Sequence, residues 1–161
     1  MNSKFPIKLD KQGLMALSRA YMNKTDSLYN LFELIQRIEG YEDILIHAES
    51  ESFVYEATNG QNVFFSAFEL AEMLRNDTLA YHGGNIRLLA CGSGRFPNGL
   101  AQQLSDILQV QVLAPSEVLW VREDGALFVS DKAVLADMWN KHIEVNETGE
   151  WKLFCPRSKE A

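Results

Sequence analysis

Ile86-Arg87-Leu88-Leu89-Ala90-Cys91 is an apolar run too short for a helix, and it stops at Gly92-Ser93-Gly94. It reads as a buried strand with a cysteine at its C-terminal end. Asp43-Ile44-Leu45-Ile46-His47 has the same length and character and ends on a histidine. A third strand is expected over Val110 to Ala114. Between the first two runs, Phe53-Val54-Tyr55 and Val63-Phe64-Phe65 flank Thr58-Asn59-Gly60-Gln61, where Asn-Gly predicts a β-hairpin. Ser66-Ala67-Phe68-Glu69 then forms a capping box that opens a helix to about Arg75. Between the second and third runs, Asn98 is the expected cap of a helix from Gly99 to Gln109, with Leu100, Leu104, Ile107 and Leu108 as its buried stripe.

Strand, helix, strand, helix, strand implies parallel pairing through crossovers. The expected fold is therefore a single α/β domain over residues 1–161, with a mostly parallel central sheet, helices on both faces and peripheral β-hairpins. Residues 1–40 read as helical: Gly13 to Met22 weakly, and Leu28 to Ile38 behind a Thr25-Asp26-Ser27 cap, with Gly40 as the stop. The core covers residues 43–156. Beyond Pro115, Val118 to Val121 and Ala126 to Val129 are joined by Glu123-Asp124-Gly125, a second hairpin, and Trp151 to Cys155 reads as an edge strand. Alternation puts Trp151, Leu153 and Cys155 on one face of it, and Cys155 is expected to be structural and replaceable.

Composition narrows the function. The 161 residues are 47% hydrophobic and 23% charged, enough apolar surface to offset the entropy of folding. With 22 acidic against 15 basic side chains and a net charge of -7, no basic surface for phosphate is expected, so nucleic acid is not an expected partner. No apolar run reaches the ~20 residues of a membrane span, and the first residues lack the apolar stretch of a Sec signal. Two cysteines are too few for a disulfide framework, which favours a reducing compartment and free thiols. The three histidines and two cysteines lack metal-ligand spacing, so neither a metal nor a cofactor is expected.

In open α/β sheets ligands bind at the carboxyl ends of the strands, and His47 and Cys91 stand at two such ends. A thiol is only a few per cent ionised at neutral pH, so a nucleophilic cysteine needs an imidazole to take its proton. Gly92, Ser93 and Gly94 leave space above the sulfur and offer backbone amides for an oxyanion. The plain alternative is a small buried hydrophobe, the usual state of a free cysteine. Ser93 lacks the flanking glycines of a serine-hydrolase elbow, and the glycine-rich stretches match no nucleotide-binding pattern. His82 and His142 read as surface residues. Glu117, Arg87, Arg95 and Arg122 are the charges near the strand ends that a charged specificity pocket would have to use.

A strand ending in His47 and a second ending in Ala90-Cys91-Gly92, 44 residues later, resembles the caspase-like cysteine peptidases, where the spacing is about 50. That superfamily includes the autoprocessing protease domains of large bacterial toxins. A further similarity is to C-terminal modules of bacterial polymorphic toxins and secreted effectors. It is carried by Ile46-His47, Tyr81-His82-Gly83-Gly84-Asn85-Ile86 through Gly94, Gly99-Leu100-Ala101-Gln102-Gln103-Leu104, Val112-Leu113-Ala114-Pro115, Trp120-Val121, Asp124-Gly125 and Gly149 to Pro156.

The resemblance implies Cys91 as nucleophile, His47 as proton donor to the leaving group, and the amides of Ala48 and Cys91 as the oxyanion site. The superfamily usually has glycine after the histidine; an alanine methyl is tolerated there if φ is negative. The implied protein is a bacterial effector or toxin module, held in the bacterial cytoplasm until export without a Sec signal and acting in a target or host cell. Its implied activity is a cysteine-dependent hydrolase cleaving protein substrates, with a cognate immunity protein or chaperone as a further partner. The same dyad also supports deamidase, transglutaminase-like or acyl-transfer chemistry, and a non-catalytic interaction module remains the alternative from another class.

Overall fold

In the computed structural model, which describes residues 21, 26–49, 51–56, 61–76, 81–130 and 149–157, strand β1 (Tyr41–Leu45) lies parallel to β5 (Asn85–Leu89). Strand β6 (Val112–Pro115) continues the sheet in parallel, and β9 (Trp151–Phe154) closes it antiparallel, giving the order β1-β5-β6-β9. The sheet is thus mixed, with three parallel strands and one antiparallel edge. Two hairpins stand off it. One joins β2 (His47–Ala48), β3 (Phe53–Glu56) and β4 (Asn62–Phe65) into a three-stranded antiparallel sheet, and the other pairs β7 (Val118–Val121) with β8 (Leu127–Ser130). The Thr58-Asn59-Gly60 turn lies outside the described residues.

Alternation along β1 and β5 divides the interior into two apolar clusters. Ile44, Ile46, Ile86, Leu88 and Ala90 point to one face. There they meet helix α2 (Ala67–Asn76), helix α3 (Leu100–Leu108) and the inward residues Phe53, Tyr55 and Phe65 of the first hairpin. Leu45 and Leu89 point to the other face. They pack with Tyr29 of helix α1 (Ser27–Leu31), with Phe32 in the 3₁₀ turn Phe32–Leu34, and with Leu119 and Val129 of the second hairpin. Helices therefore flank both faces, α1 sharing its side with a hairpin.

The sequence-level caps fare differently. The capping box forms at α2: Glu69 donates its amide to Ser66 Oγ and Ser66 its amide to Glu69 Oε1, both at 3.1 Å. Asn98 does not cap α3; Gly99 does, without a side-chain bond, because the Asn98 carboxamide oxygen accepts from Arg157 instead. The helix expected from Leu28 to Ile38 is much shorter. Ile35 leaves it in an extended conformation (ψ 122°), which keeps its side chain in the cluster while Leu34 and Ile38 turn outward. Tyr21 is not helical; its amide donates to the Leu45 carbonyl at 2.8 Å, and the rest of the Gly13 to Met22 helix lies outside the described residues. On β9 the alternation holds with the faces exchanged: Leu153 and Cys155 are exposed and Phe154 is buried.

One polar pair stands inside this apolar sheet. Asp43 and Arg87 are register partners on β1 and β5, exposed by only 2% and 7%. Arg87 Nε donates to Asp43 Oδ1 at 2.7 Å and its Nη2 to Oδ2 at 2.8 Å, with a further bond to the Gln36 carbonyl at 2.9 Å. Such a two-pronged pair satisfies both charges at once, and removing one partner strands the other in a dry site. Asp43→Ala is expected to destabilise the fold by about 3–5 kcal/mol in urea unfolding, whereas leucine at both positions recovers much of that loss.

Candidate functional site

The Asp43/Arg87 and Leu45/Leu89 pairs set the positions that follow. Ile46 donates its amide to the Leu89 carbonyl at 3.2 Å, the last ladder bond between the two strands. Two residues beyond Leu45 and Leu89 stand His47 and Cys91. β1 and β5 end before both residues: His47 opens β2 and Cys91 begins the turn after β5, each just past the C-terminal end of one of two neighbouring parallel strands, on the face of the second cluster by alternation. Cys91 packs against that cluster, with its thiol 3.9 Å from the Leu119 carbonyl.

A third residue joins them. Asp26 is the N-cap of α1: its Oδ1 accepts from the Leu28 amide at 2.9 Å, while its Oδ2 meets His47 Nε2 at 2.5 Å. Beside the carboxylate, Nε2 is the ring nitrogen that carries a proton and donates it. The hydrogen bond from His47 holds the Asp26 carboxyl below the usual aspartate range, outweighing its partial burial, and the Leu28 amide adds to the effect. The Cys91 thiol is pushed the other way. Burial raises its pKa, with the backbone at Leu119 and its own amide offsetting part of the rise. The resting cysteine is therefore a thiol at neutral pH.

The loop after Cys91 departs from expectation. The amides of Gly92, Ser93 and Gly94 donate to the carbonyls of Glu117, Ala90 and Pro115 at 2.8, 3.2 and 2.9 Å. Ser93 is buried, its hydroxyl also on the Ala90 carbonyl at 2.8 Å. None of these three amides is left for an oxyanion; the glycines serve geometry instead. Gly92 has φ +64°, and a Cβ on Gly94 would lie 2.8 Å from the Ala114 carbonyl oxygen.

The amides of Ala48 and Cys91 are disposed differently. Glu49 donates to the Ser52 carbonyl, so by antiparallel alternation the neighbouring Ala48 amide points away from β3. The Cys91 amide has no backbone acceptor among the described residues. The alanine itself is accommodated: among the described residues the one non-glycine with positive φ is Gln109.

The four charges near the strand ends are all engaged. Arg87 is in the buried pair, Arg95 meets Glu117 at 2.9 Å, and Arg122 meets Asp124 at 3.2 Å while lying over the Phe128 ring. Among the described residues no group of three or more His, Cys, Asp or Glu could hold a metal ion, and no helix is long and apolar enough to cross a membrane. Asp26 escaped detection as a site residue because one carboxylate oxygen satisfies the cap that the sequence reveals. The second oxygen reaches a residue 21 positions away, with no periodic signal.

Fold and side-chain contacts together define an α/β protein with an aspartate–histidine pair just beyond β1 and a half-buried cysteine just beyond the neighbouring strand β5. Residues 17–129 match the family described as Domain of unknown function (DUF8616), and the chain belongs to that family. No curated protein and no solved structure matches it.

Two outcomes follow from the charge states. A carboxyl whose pKa falls on folding contributes stability that is complete above its unfolded value, about 3.9, and is lost as the pH falls through the lower folded value. The stability gap between the parent and Asp26→Asn, whose asparagine still caps α1, should shrink on acidification below about pH 4 in thermal melts. In a Cys155→Ser background, iodoacetamide labelling of Cys91 should rise with an apparent pKa above the ordinary thiol value of about 8.5.

Proposed function

We propose that this protein is a cysteine-dependent hydrolase of caspase-like fold that cleaves an amide, a peptide bond in a protein substrate, as a bacterial effector or toxin module. The observation that carries this reading is the placement of His47 and Cys91 two residues beyond the Leu45/Leu89 pair, on one face, with Asp26 on the imidazole. His47 takes the thiol proton, and Cys91 Sγ attacks the substrate carbonyl carbon. The oxyanion that forms is received by the amides of Ala48 and Cys91. The C–N bond breaks as the imidazolium returns the proton to the leaving amine, and water, deprotonated by the same imidazole, hydrolyses the thioester. Asp26 orients the ring and stabilises its charged form.

Among the described residues β7 pairs only with β8, and its other edge supports an extended peptide as substrate. Arg122 donates to the Ala126 carbonyl, so the bonded pairs of the β7–β8 ladder include Trp120 with Phe128, and the polar groups of Leu119 and Val121 point away from β8. The Leu119 carbonyl, on that edge, is the one next to the Cys91 sulfur. A substrate strand added there would run beside the nucleophile. Because the four strand-end charges are already paired, the residue before the scissile bond is expected to be uncharged.

A second reading rests on the half-buried position of Cys91 and its upward-shifted pKa, which also suit an inert thiol in an interaction module. Mutation separates the two. Cys91→Ala should abolish peptide cleavage by roughly 10³-fold or more, His47→Ala should do nearly the same, and the double variant should be hardly worse. All three should melt close to the parent, since a lost thiol costs on the order of 1 kcal/mol. Full activity in Cys91→Ala, or a native thiol that cannot be alkylated until the chain unfolds, would overturn the enzymatic reading.

A further inference from the structure

The three-stranded sheet that begins at His47 has two faces. Ala48, Phe53 and Phe65 are register partners across β2, β3 and β4, and all three turn inward onto the first cluster. Their neighbours His47, Val54 and Phe64 are register partners too, so by alternation they form a row on the opposite face. The imidazole thus stands at one end of a row whose other two members are apolar. Ile46 donates its amide toward β5, and the next residue, His47, turns its backbone to the other side, where β3 pairs with it. The row therefore runs away from β5, and Val54 and Phe64 flank the histidine on the side opposite the strand that leads to Cys91.

Exposure differs along the row. Val54 is buried between its two neighbours, the His47 side chain is 28% exposed, and Phe64 is 53% exposed. Phe64 belongs to neither apolar cluster, while Val63 and Phe65 on either side of it anchor β4 in the first one. The packing of β4 therefore does not call for a phenyl ring at this position. An exposed apolar residue alone is ordinary, but this one shares a face and a register line with the imidazole. Its ring offers a large flat area to an apolar side chain, and aromatic partners gain further from stacking. Two strand spacings, roughly 10 Å, separate Phe64 from His47, which is about the span of three residues of extended chain. A substrate lying over the imidazole can therefore bring a side chain to Phe64 without leaving that face.

We propose that Phe64 is a specificity-determining residue of the hydrolase and receives an aromatic or large aliphatic side chain of the substrate, about three residues from the scissile bond. This rests on the functional reading above. The full chain should be incubated with a synthetic library of unstructured peptides randomised at every position, and the cleaved bonds mapped by mass spectrometry. At one position roughly two to four residues from the cut, phenylalanine and leucine should be preferred over glycine and aspartate by about tenfold in kcat/KM. Phe64→Leu should keep that preference, Phe64→Thr should flatten it, and Phe64→Lys should turn it toward aspartate and glutamate, all melting close to the parent because the ring is half exposed. Cleavage that needs Cys91 but shows no apolar preference there, or one indifferent to Phe64, overturns the role of Phe64 alone. The absence of any Cys91-dependent cleavage overturns the functional reading and the role of Phe64 with it.

Discussion

The bidentate contact between Asp43 and Arg87 is the constraint on which the remaining geometry depends. Parallel strands of similar apolar residues have little to choose between registers, because sliding one past the other by two residues preserves which face each side chain meets. A buried charge pair removes that freedom. Any slip would leave a carboxylate and a guanidinium apart in a nonpolar interior, at a far greater cost than a mispacked leucine. Asp43 precedes His47 by the same four positions by which Arg87 precedes Cys91, so fixing one pair fixes the other. The register that buries the charges also sets how far beyond the paired strands His47 and Cys91 follow.

From that alignment the two faces of the sheet acquire different tasks. The α2–α3 side holds the larger cluster, and its helices dock through Leu70, Leu74, Leu100 and Leu104. The α1 side is smaller, is closed by a hairpin and a short helix, and carries the site at its rim. The loop between Cys91 and α3 connects the sides. Its buried serine and bonded amides make it a rigid strut, and the glycines in it answer to a left-handed turn and to a close approach of the β6 backbone.

Much of this was legible in the sequence. Apolar runs with β-branched residues marked β1, β5 and β6, the Ser66/Glu69 pair marked the start of α2, and the Glu123-Asp124-Gly125 turn marked the second hairpin. These signals are local, set by neighbours within four residues. His47 and Cys91 were expected as the last residues of two strands, but β1 stops at Leu45 and β5 at Leu89, so that His47 opens β2 and Cys91 begins a turn. What failed to show was long-range: the Asp26–His47 contact, the burial of two opposite charges mid-strand, and the bonding of the Gly92 and Gly94 amides to the carbonyls of Glu117 and Pro115. The curtailed α1 has another cause. Its apolar stripe continues past Leu31, but the side chains reach the same cluster more closely after the chain turns at Ile35, and packing overrides periodicity.

Asp26 uses its two oxygens for two masters, the first turn of α1 and the imidazole. Five residues of helix are far too few to persist alone, so α1 exists only while Tyr29, Phe32 and Ile35 are seated in the second cluster. Whenever that seating lapses, the carboxylate leaves with it and His47 loses its anchor. The competence of the site is therefore a population, the fraction of molecules in which this segment is docked, and not a fixed property of the sheet edge. Side chains remote from His47, such as Phe32, then tune the site through an equilibrium constant without touching it.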